Sequence, residues 1–176
     1  MNKKYLKGFT LVELMVTISV IGILTAVISA NFNDARHQAN DKKRMTELKS
    51  LQLTLELYKS QNGSYPAQAC GTGSDWAGPG TASGVYKKCS PYITGLVPEF
   101  TTALPTDPKS TAGKGFYYRS NGTSYKAMVY DTVESLTVAS YGDEFARCPK
   151  QQGSGACSGA VPTKTYAVYS AGAEDW

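Results

Sequence analysis

The sequence has one histidine, little charge and no proline before Pro66. His37 would have to serve any Ser-His-Asp or Cys-His mechanism, and a zinc site built from several histidines is excluded. It lies in a charged stretch, where we expect an ordinary helical surface residue. Neither a Walker loop nor an HExxH motif occurs, and the glycines near Gly71 follow no strand signal. These absences favour a protein that is not an enzyme.

Long hydrophobic runs are also scarce. Only Phe9–Phe32 is long enough to cross a bilayer, which excludes a polytopic membrane protein. It carries a single charge, Glu13, and as a helix it would rise about 36 Å. We therefore expect residues 9–32 to span a membrane or to pack among other apolar helices. The formal net charge of +4 gives no case for a specific nucleic-acid partner.

The residues at the start of this run form a distinct pattern. Three lysines precede Gly8, Phe9 follows it, and Glu13 is the fifth residue counted from Phe9. This segment resembles the cleavage motif of type IV prepilins, in which a short basic leader ends in glycine and phenylalanine opens the mature chain. On this motif the chain is identified as a member of the type IV pilin and type II secretion pseudopilin family.

The resemblance implies a processing route and a role for Glu13. A prepilin peptidase would cleave between Gly8 and Phe9, leaving residues 1–8 as the leader, and Phe9 would be N-methylated. Glu13 would pair with the Phe9 amine of a neighbouring subunit in a filament. Gly22 matches a glycine common in the family helix, but the proline that many members place near the end of the run is missing, so no proline kink is expected.

Two other interpretations of the amino terminus stay open. The run could be a signal anchor with one tolerated acid, or a signal cleaved after Ala30. It is longer than the apolar core of about 7–15 residues in a secretory signal. Lysines and arginines flank both ends, so their count does not set the orientation. The resemblance places the leader inside and the bulk of the chain outside.

The helical signal continues past Phe32. Neither glycine nor proline occurs in 34–61, and Asn62-Gly63 is a helix stop. One apolar face follows helical spacing: Met45, Leu48, Leu51, Leu55 and Tyr58. Leu53 and Leu57 form a second stripe, which predicts that this half is covered on more than one side. Residues 33–61 are thus an amphipathic continuation, and the whole helix is predicted over 9–61.

The remaining residues, 62–176, predict a globular head and an α+β fold of pilin type. Residues 62–114 are rich in proline, glycine, serine and threonine and are predicted to be a loop with a short helix or turn at 92–97. A small antiparallel sheet is predicted at about 115–170, with one face on the helix. Its expected strands are 116–119, 125–130, 134–139 and 166–169, and Asn121-Gly122 predicts a hairpin turn.

All four cysteines lie in the head. An even number beyond a membrane segment predicts two disulfides in an oxidising compartment. Of three pairings we favour Cys70–Cys89 and Cys148–Cys157, because each closes a short local loop. A four-thiolate zinc site is the alternative, although no CxxC pair is present.

Other candidate sites are weak. The calcium candidates are Asp131, Glu134, Asp143 and Glu144. Their spacing fits no defined ion loop, so we expect solvated acids and no cofactor. Asn62 and Asn121 begin glycosylation sequons, but Asn-Gly is also ordinary turn chemistry, which we favour.

The sequence therefore predicts a structural filament subunit. It would sit in the inner or cytoplasmic membrane with its head outside, then join a homo-oligomeric surface or periplasmic filament. Expected partners are membrane lipid, the prepilin peptidase and methyltransferase, and a pilus or secretion assembly platform. Residues 104–108 are similar to the major pseudopilin of type II secretion, although 109–111 depart from it, so pilin and pseudopilin both stay open. A membrane-anchored exterior binding module is the alternative of another class.

Overall fold

The computed structural model describes residues 8–135, 141–149, 157 and 164–176, and within it the side chains of 27–31 are not described. The described part holds a helix, α1 (Leu11–Asn62), and five strands. The strands are β1 (Trp76–Gly78), β2 (Tyr86–Lys88), β3 (Gly115–Ser120), β4 (Tyr125–Tyr130) and β5 (Tyr166–Tyr169). The α+β class predicted from the sequence is confirmed.

Helix α1 is unbroken and passes through Gly22 without a change in secondary structure. It ends where the sequence predicts. Gly63 adopts a positive φ of 78°, and its amide donates to the carbonyl of Lys59 at 2.8 Å. Glycine reaches this left-handed conformation at little cost, so it closes the last turn of the helix.

The chain divides into two units, the first ending at His37 and the second comprising Gln38–Trp176. The first unit contains the apolar part of α1. The second contains the amphipathic part of α1 together with the whole sheet. Its strand order is β2-β1-β3-β4-β5.

The hairpin predicted at Asn121-Gly122 joins β3 to β4. Register runs from Gly115 opposite Tyr130 to Ser120 opposite Tyr125. The Asn121 side chain accepts the amides of Thr123 and Ser124 at 3.1 and 2.8 Å, which fixes the loop. Strand β5, which the sequence predicts at 166–169, then adds antiparallel to β4.

The antiparallel sheet predicted at about 115–170 is confirmed for β3, β4 and β5, but two further strands make the whole sheet mixed. Strands β1 and β2 pair in parallel, with Trp76 opposite Tyr86, and both lie inside the segment predicted to be loop. Each is only three residues long in a glycine-rich stretch, too short to show alternation. The segment 92–97 forms turns and one isolated bridge at Ile93 rather than a helix.

The strand predicted at 134–139 does not begin at Glu134. The amides of Glu134 and Ser135 donate to the Asp41 carboxylate on α1 instead of to a neighbouring strand. Residues 136–139 lie outside the described part of the chain. The Asp41 carboxylate thus accepts the main-chain amides that would otherwise pair with a neighbouring strand.

The core of the second unit lies between α1 and one face of the sheet. Leu48, Leu51 and Leu55 pack with sheet residues such as Tyr118 and Tyr125, all nearly inaccessible. Burying a side chain of this size contributes about 1.5–3 kcal/mol.

The offset stripe on α1 stays outside this core. Leu53 is 71% exposed and Leu57 49% exposed, so the prediction that this half of the helix is covered on a second side is wrong for the single chain. One sheet face can cover only one side of a helix.

Candidate functional site

The predicted processing point lies just before α1. Gly8, Phe9 and Thr10 are not helical, and α1 begins at Leu11. Phe9 is 86% exposed, and no heavy atom lies within 4 Å of the point where a Cβ on Gly8 would stand. The bond between Gly8 and Phe9 is therefore open to solvent, while the leader residues 1–7 lie outside the described part of the chain.

Glu13 forms a capping box with Thr10. The Thr10 hydroxyl accepts the Glu13 amide at 3.2 Å, and the Glu13 carboxylate accepts the Thr10 amide and hydroxyl at 2.8 and 2.7 Å. This reciprocal arrangement satisfies donors that every helix start leaves unpaired. The same carboxylate lies at the positive end of the helix dipole, which favours its charged form.

The capping box gives Glu13 a local role that the prediction from resemblance did not include. The signal was available, because Thr10 and Glu13 stand three apart directly before an apolar run. The cap uses one carboxylate oxygen, Oε2, in all its bonds to Thr10. The two roles are compatible, since the other oxygen makes no hydrogen bond within the described residues.

The apolar run of α1 is exposed on every side. Ten of its large side chains between Leu11 and Leu24 are 49–73% exposed. A helix that is hydrophobic all round is normally covered by lipid or by other helices. Within the part of the chain that the structure describes, no helix is both long enough and apolar enough to cross a membrane.

Three hydroxyls inside this run are satisfied by the helix itself. Thr17, Ser19 and Thr25 donate to the main-chain carbonyls of Leu14, Met15 and Ile21 at 2.7–2.8 Å. A hydroxyl bonded in this way needs no water. The polar residues of the run are therefore suited to apolar surroundings.

The second unit contains a buried ion cluster that the sequence did not predict. Arg44 of α1 donates to Asp107 through Nε at 2.8 Å and Nη2 at 3.1 Å, and through Nη1 to Asp41 at 2.8 Å and Glu134 at 3.0 Å. Their side chains are at most 7% exposed. Breaking such a buried pair from one side typically costs about 3–5 kcal/mol.

The cluster sets the protonation of its members. Burial raises the pKa of Asp107, but hydrogen bonds from Arg44, Thr132 and the Lys109 amide outweigh it and hold the pKa below its ordinary value. Burial likewise raises the pKa of Glu134, while hydrogen bonds from Lys109, Arg44 and Asn40 lower it to about 2. Both carboxylates are therefore charged at neutral pH and hold two loops against α1.

The four calcium candidates are not brought together. Glu134 belongs to the ion cluster, Asp131 pairs with Lys114 at 2.6 Å, and Glu144 pairs with Lys49. Asp143 contributes its main-chain carbonyl to a turn that ends at Ala146. Among the described residues, no group of three His, Cys, Asp or Glu side chains is placed to hold a metal ion.

The cysteines form the two disulfides that the sequence favours. Cys70 is bonded to Cys89 and Cys148 to Cys157, with Cα atoms 6.2 and 5.8 Å apart. All four thiols are thus used, which removes the alternative of a thiolate zinc site. The first disulfide closes the segment that carries β1 and β2.

Comparison with known proteins supports the amino-terminal pattern. The family described as the prokaryotic N-terminal methylation motif matches residues 3–29. The amino terminus is thus similar to this motif. The matched range includes Gly8, Phe9 and Glu13.

The chain is also similar over part of its length to proteins with two kinds of description. Type II secretion system core protein G of Aeromonas hydrophila is 35% identical over 66 residues, which is 38% of this chain and 46% of the relative. The same protein of Dickeya chrysanthemi is 32% identical over 68 residues, 39% of this chain and 44% of the relative.

A type IV pilus protein is similar as well. The type IV wide pilus major component PilA4 of Thermus thermophilus is 42% identical over 59 residues, 34% of this chain and 45% of the relative. The chain thus spans less than half the length of these curated relatives. No solved structure gives a significant match.

Proposed function

We propose that this protein is a structural subunit of a type IV pilus or pilus-like filament, processed between Gly8 and Phe9 and assembled through the apolar part of α1. The observation that carries the proposal is that the part of α1 matched by the methylation-motif family is apolar and, between Leu11 and Leu24, exposed all round. Such a surface is unfavourable in water, and packing against the same helix of other copies would cover it.

The proposal extends to location and partners. Before assembly the chain would sit in the inner or cytoplasmic membrane with Gln38–Trp176 outside, and afterwards in a surface or periplasmic filament. A prepilin peptidase and methyltransferase would act on Gly8 and Phe9. Two disulfides in the head fit an oxidising exterior.

A second candidate function is that of a major pseudopilin in type II secretion. It is favoured by the similarity to core protein G and by Leu104–Pro108, whose Asp107 is the buried partner of Arg44. Long surface fibres that contain this protein favour the pilus. Loss of protein export on deletion, without such fibres, favours the pseudopilin.

Glu13 provides the test of assembly, because its charge and its capping role can be separated. Glu13→Gln keeps a capping side chain but removes the charge, whereas Thr10→Ala keeps the charge and removes half of the cap. We expect Glu13→Gln and Glu13→Ala both to lower the filament fraction about tenfold or more, since an unpaired partner amine in a dry core is costly. Thr10→Ala should retain most of it, because a lost cap costs only about 1 kcal/mol.

The measurement is the fraction of the protein that sediments as filaments after shearing, relative to the total in the membrane. An immunoblot for the disulfide-bonded head controls for expression and folding. Wild-type filament yield from Glu13→Gln, together with loss in Thr10→Ala, would reduce Glu13 to a helix cap and contradict the pairing.

A further inference from the structure

The face of the sheet that points away from α1 carries cations among aromatic rings. Alternation along the strands brings Trp76, Arg119 and Lys126 to this face, with Tyr117 and Met128 in the small apolar cluster beneath. Trp176 packs against the same cluster. This outer face is distinct from the core face, which is covered by α1.

Arg119 is held between indole rings without a polar partner. Its guanidinium carbon lies 4.5 Å from the ring centroid of Trp176 and 5.9 Å from that of Trp76. The side chain is half-buried, and within the described residues its guanidinium makes no hydrogen bond or ion pair. A guanidinium group has five N–H donors in a rigid planar arrangement. Those of Arg119 are therefore available to a ligand from solvent.

Arg119 also faces a second cation directly. Lys126 is its cross-strand partner on β4 and is fully buried. Its ammonium donates to the main-chain oxygens of Glu174 and Trp176 at 2.8 and 3.1 Å. Like charges placed opposite each other destabilise a sheet, and burial lowers the pKa of Lys126 to about 7, with Arg147 and Arg119 adding to this effect.

Arg147 adds a third cation on this side of the sheet. Its guanidinium carbon lies 5.2 Å from the ring of Tyr130, and its Nε is buried without a hydrogen-bond partner within the described residues. A buried donor left unpaired costs about 1–3 kcal/mol. Two arginines on one face thus have donors that the described residues do not satisfy.

The nearest acids do not neutralise Arg119. Burial lowers the pKa of Arg119 and the charge of Asp75 only partly offsets this, because the Asp75 carboxylate accepts the Thr72 amide and lies 3.8 Å from Lys87. The Glu174 carboxylate accepts a hydrogen bond from the Gly172 amide. The face therefore has fixed positive charge, a partly dry setting and free donors, which together are the conditions for binding an anion.

We propose that Arg119, framed by Trp76 and Trp176, binds an oxyanion, a carboxylate or a phosphate, through the free edge of its guanidinium. The two indoles lie against the guanidinium, and the rigid planar group loses little freedom when two of its N–H groups engage the ligand. Arg147 adds positive charge on the same side of the sheet. The site does not depend on the proposed filament role.

The sequence supplies a reporter for this site, because Trp76 and Trp176 are the only tryptophans in the chain. The full-length protein in nonionic detergent would be titrated with sodium acetate, inorganic phosphate or sodium chloride at constant ionic strength and pH. Tryptophan emission would be followed. We expect a saturable change with acetate, phosphate or both, and none with chloride. Acetate alone assigns a carboxylate ligand, and phosphate alone assigns a phosphate ligand.

Variants test the role of the fork. Arg119→Lys keeps the cation but loses the bidentate geometry, and should raise the half-maximal concentration about tenfold, which corresponds to roughly 1.4 kcal/mol. Arg119→Gln should abolish saturation. Arg36→Gln, which removes an exposed arginine beside Phe32 in the other unit, is the matched control and should behave as wild type.

Two results would overturn the proposal. One is a chloride response equal to those of acetate and phosphate, which would reduce the effect to screening. The other is an Arg119→Lys curve that superimposes on wild type, which would show that the fork is irrelevant. Since Arg119→Lys retains the charge and the stem beside both indoles, this outcome stays readable even if Arg119→Gln misfolds.

Discussion

Single residues carry the largest surprises in this molecule. Asp41 and Arg44 occupy positions on α1 that helical periodicity assigns to the polar face, yet they are only 2% and 4% exposed. Asp107, the partner of Arg44, lies 63 positions further along the chain than Arg44. No local pattern reports a contact at that separation, so the ion cluster could not be predicted from the sequence. Glu134 was predicted only as a candidate calcium ligand, whereas in the structure it pairs with Arg44.

The low pKa of Glu134 predicts a pH dependence. Its folded pKa of about 2 lies below the ordinary 4.5, so its charge stabilises the fold fully above about pH 4.5, and this contribution is lost as the pH falls to about 2. Glu134→Gln cannot make this contribution. Wild type should therefore be more stable than the variant at pH 7, and the gap should close between pH 4.5 and 2.

The measurement is the free energy of unfolding by urea at several pH values. Glu99→Gln, which alters an exposed carboxylate in a turn, is the control and should leave the wild-type profile unchanged. A gap between wild type and Glu134→Gln that stays constant down to pH 2 would contradict a charged role for Glu134.

At the scale of elements, the sequence predicted the helix and strands whose signals lie within a few neighbouring residues. Helix α1 was predicted because apolar spacing and the Asn62-Gly63 stop are both local. The β3–β4 hairpin was predicted from its turn and its alternation. Strands β1 and β2 were not predicted because three residues cannot show a period. Their parallel pairing also requires residues 79–85 to return the chain to the start of β1. The spacing of Thr10 and Glu13 also indicates a capping box, which was not among the predicted features.

Helix α1 offers a matched pair of leucines for testing its packing. Leu55 is fully buried against the sheet, whereas Leu53 is 71% exposed on the opposite side. Leu55→Ala should lower the free energy of unfolding by about 2–5 kcal/mol, because it leaves a cavity. Leu53→Ala should change it by less than about 0.5 kcal/mol.

Both variants would be measured by urea unfolding of the unassembled chain in detergent, followed through Trp76 and Trp176. A large loss from Leu53→Ala under these conditions would show that the second stripe is covered within the single chain. That result would restore the expectation that this half of α1 is enclosed on two sides.

At the scale of the whole molecule, average composition describes neither unit. One unit carries an apolar helix segment with Glu13 at its start, and the other carries the sheet, the disulfides and the ion cluster. The formal charge also divides. Cleavage after Gly8 would remove Lys3, Lys4 and Lys7 and leave 176 − 8 = 168 residues with a charge of 4 − 3 = +1. The excess of positive charge belongs mainly to the leader.

We propose that this chain is processed as prepilins are and matures at Phe9. Mass spectrometry of the intact protein, purified from cells that contain a prepilin peptidase, tests it most directly. We predict a mature chain that begins at Phe9, carries one N-methyl group and contains both disulfides. A protein that retains Met1, or one that begins at Asn31, would contradict the account.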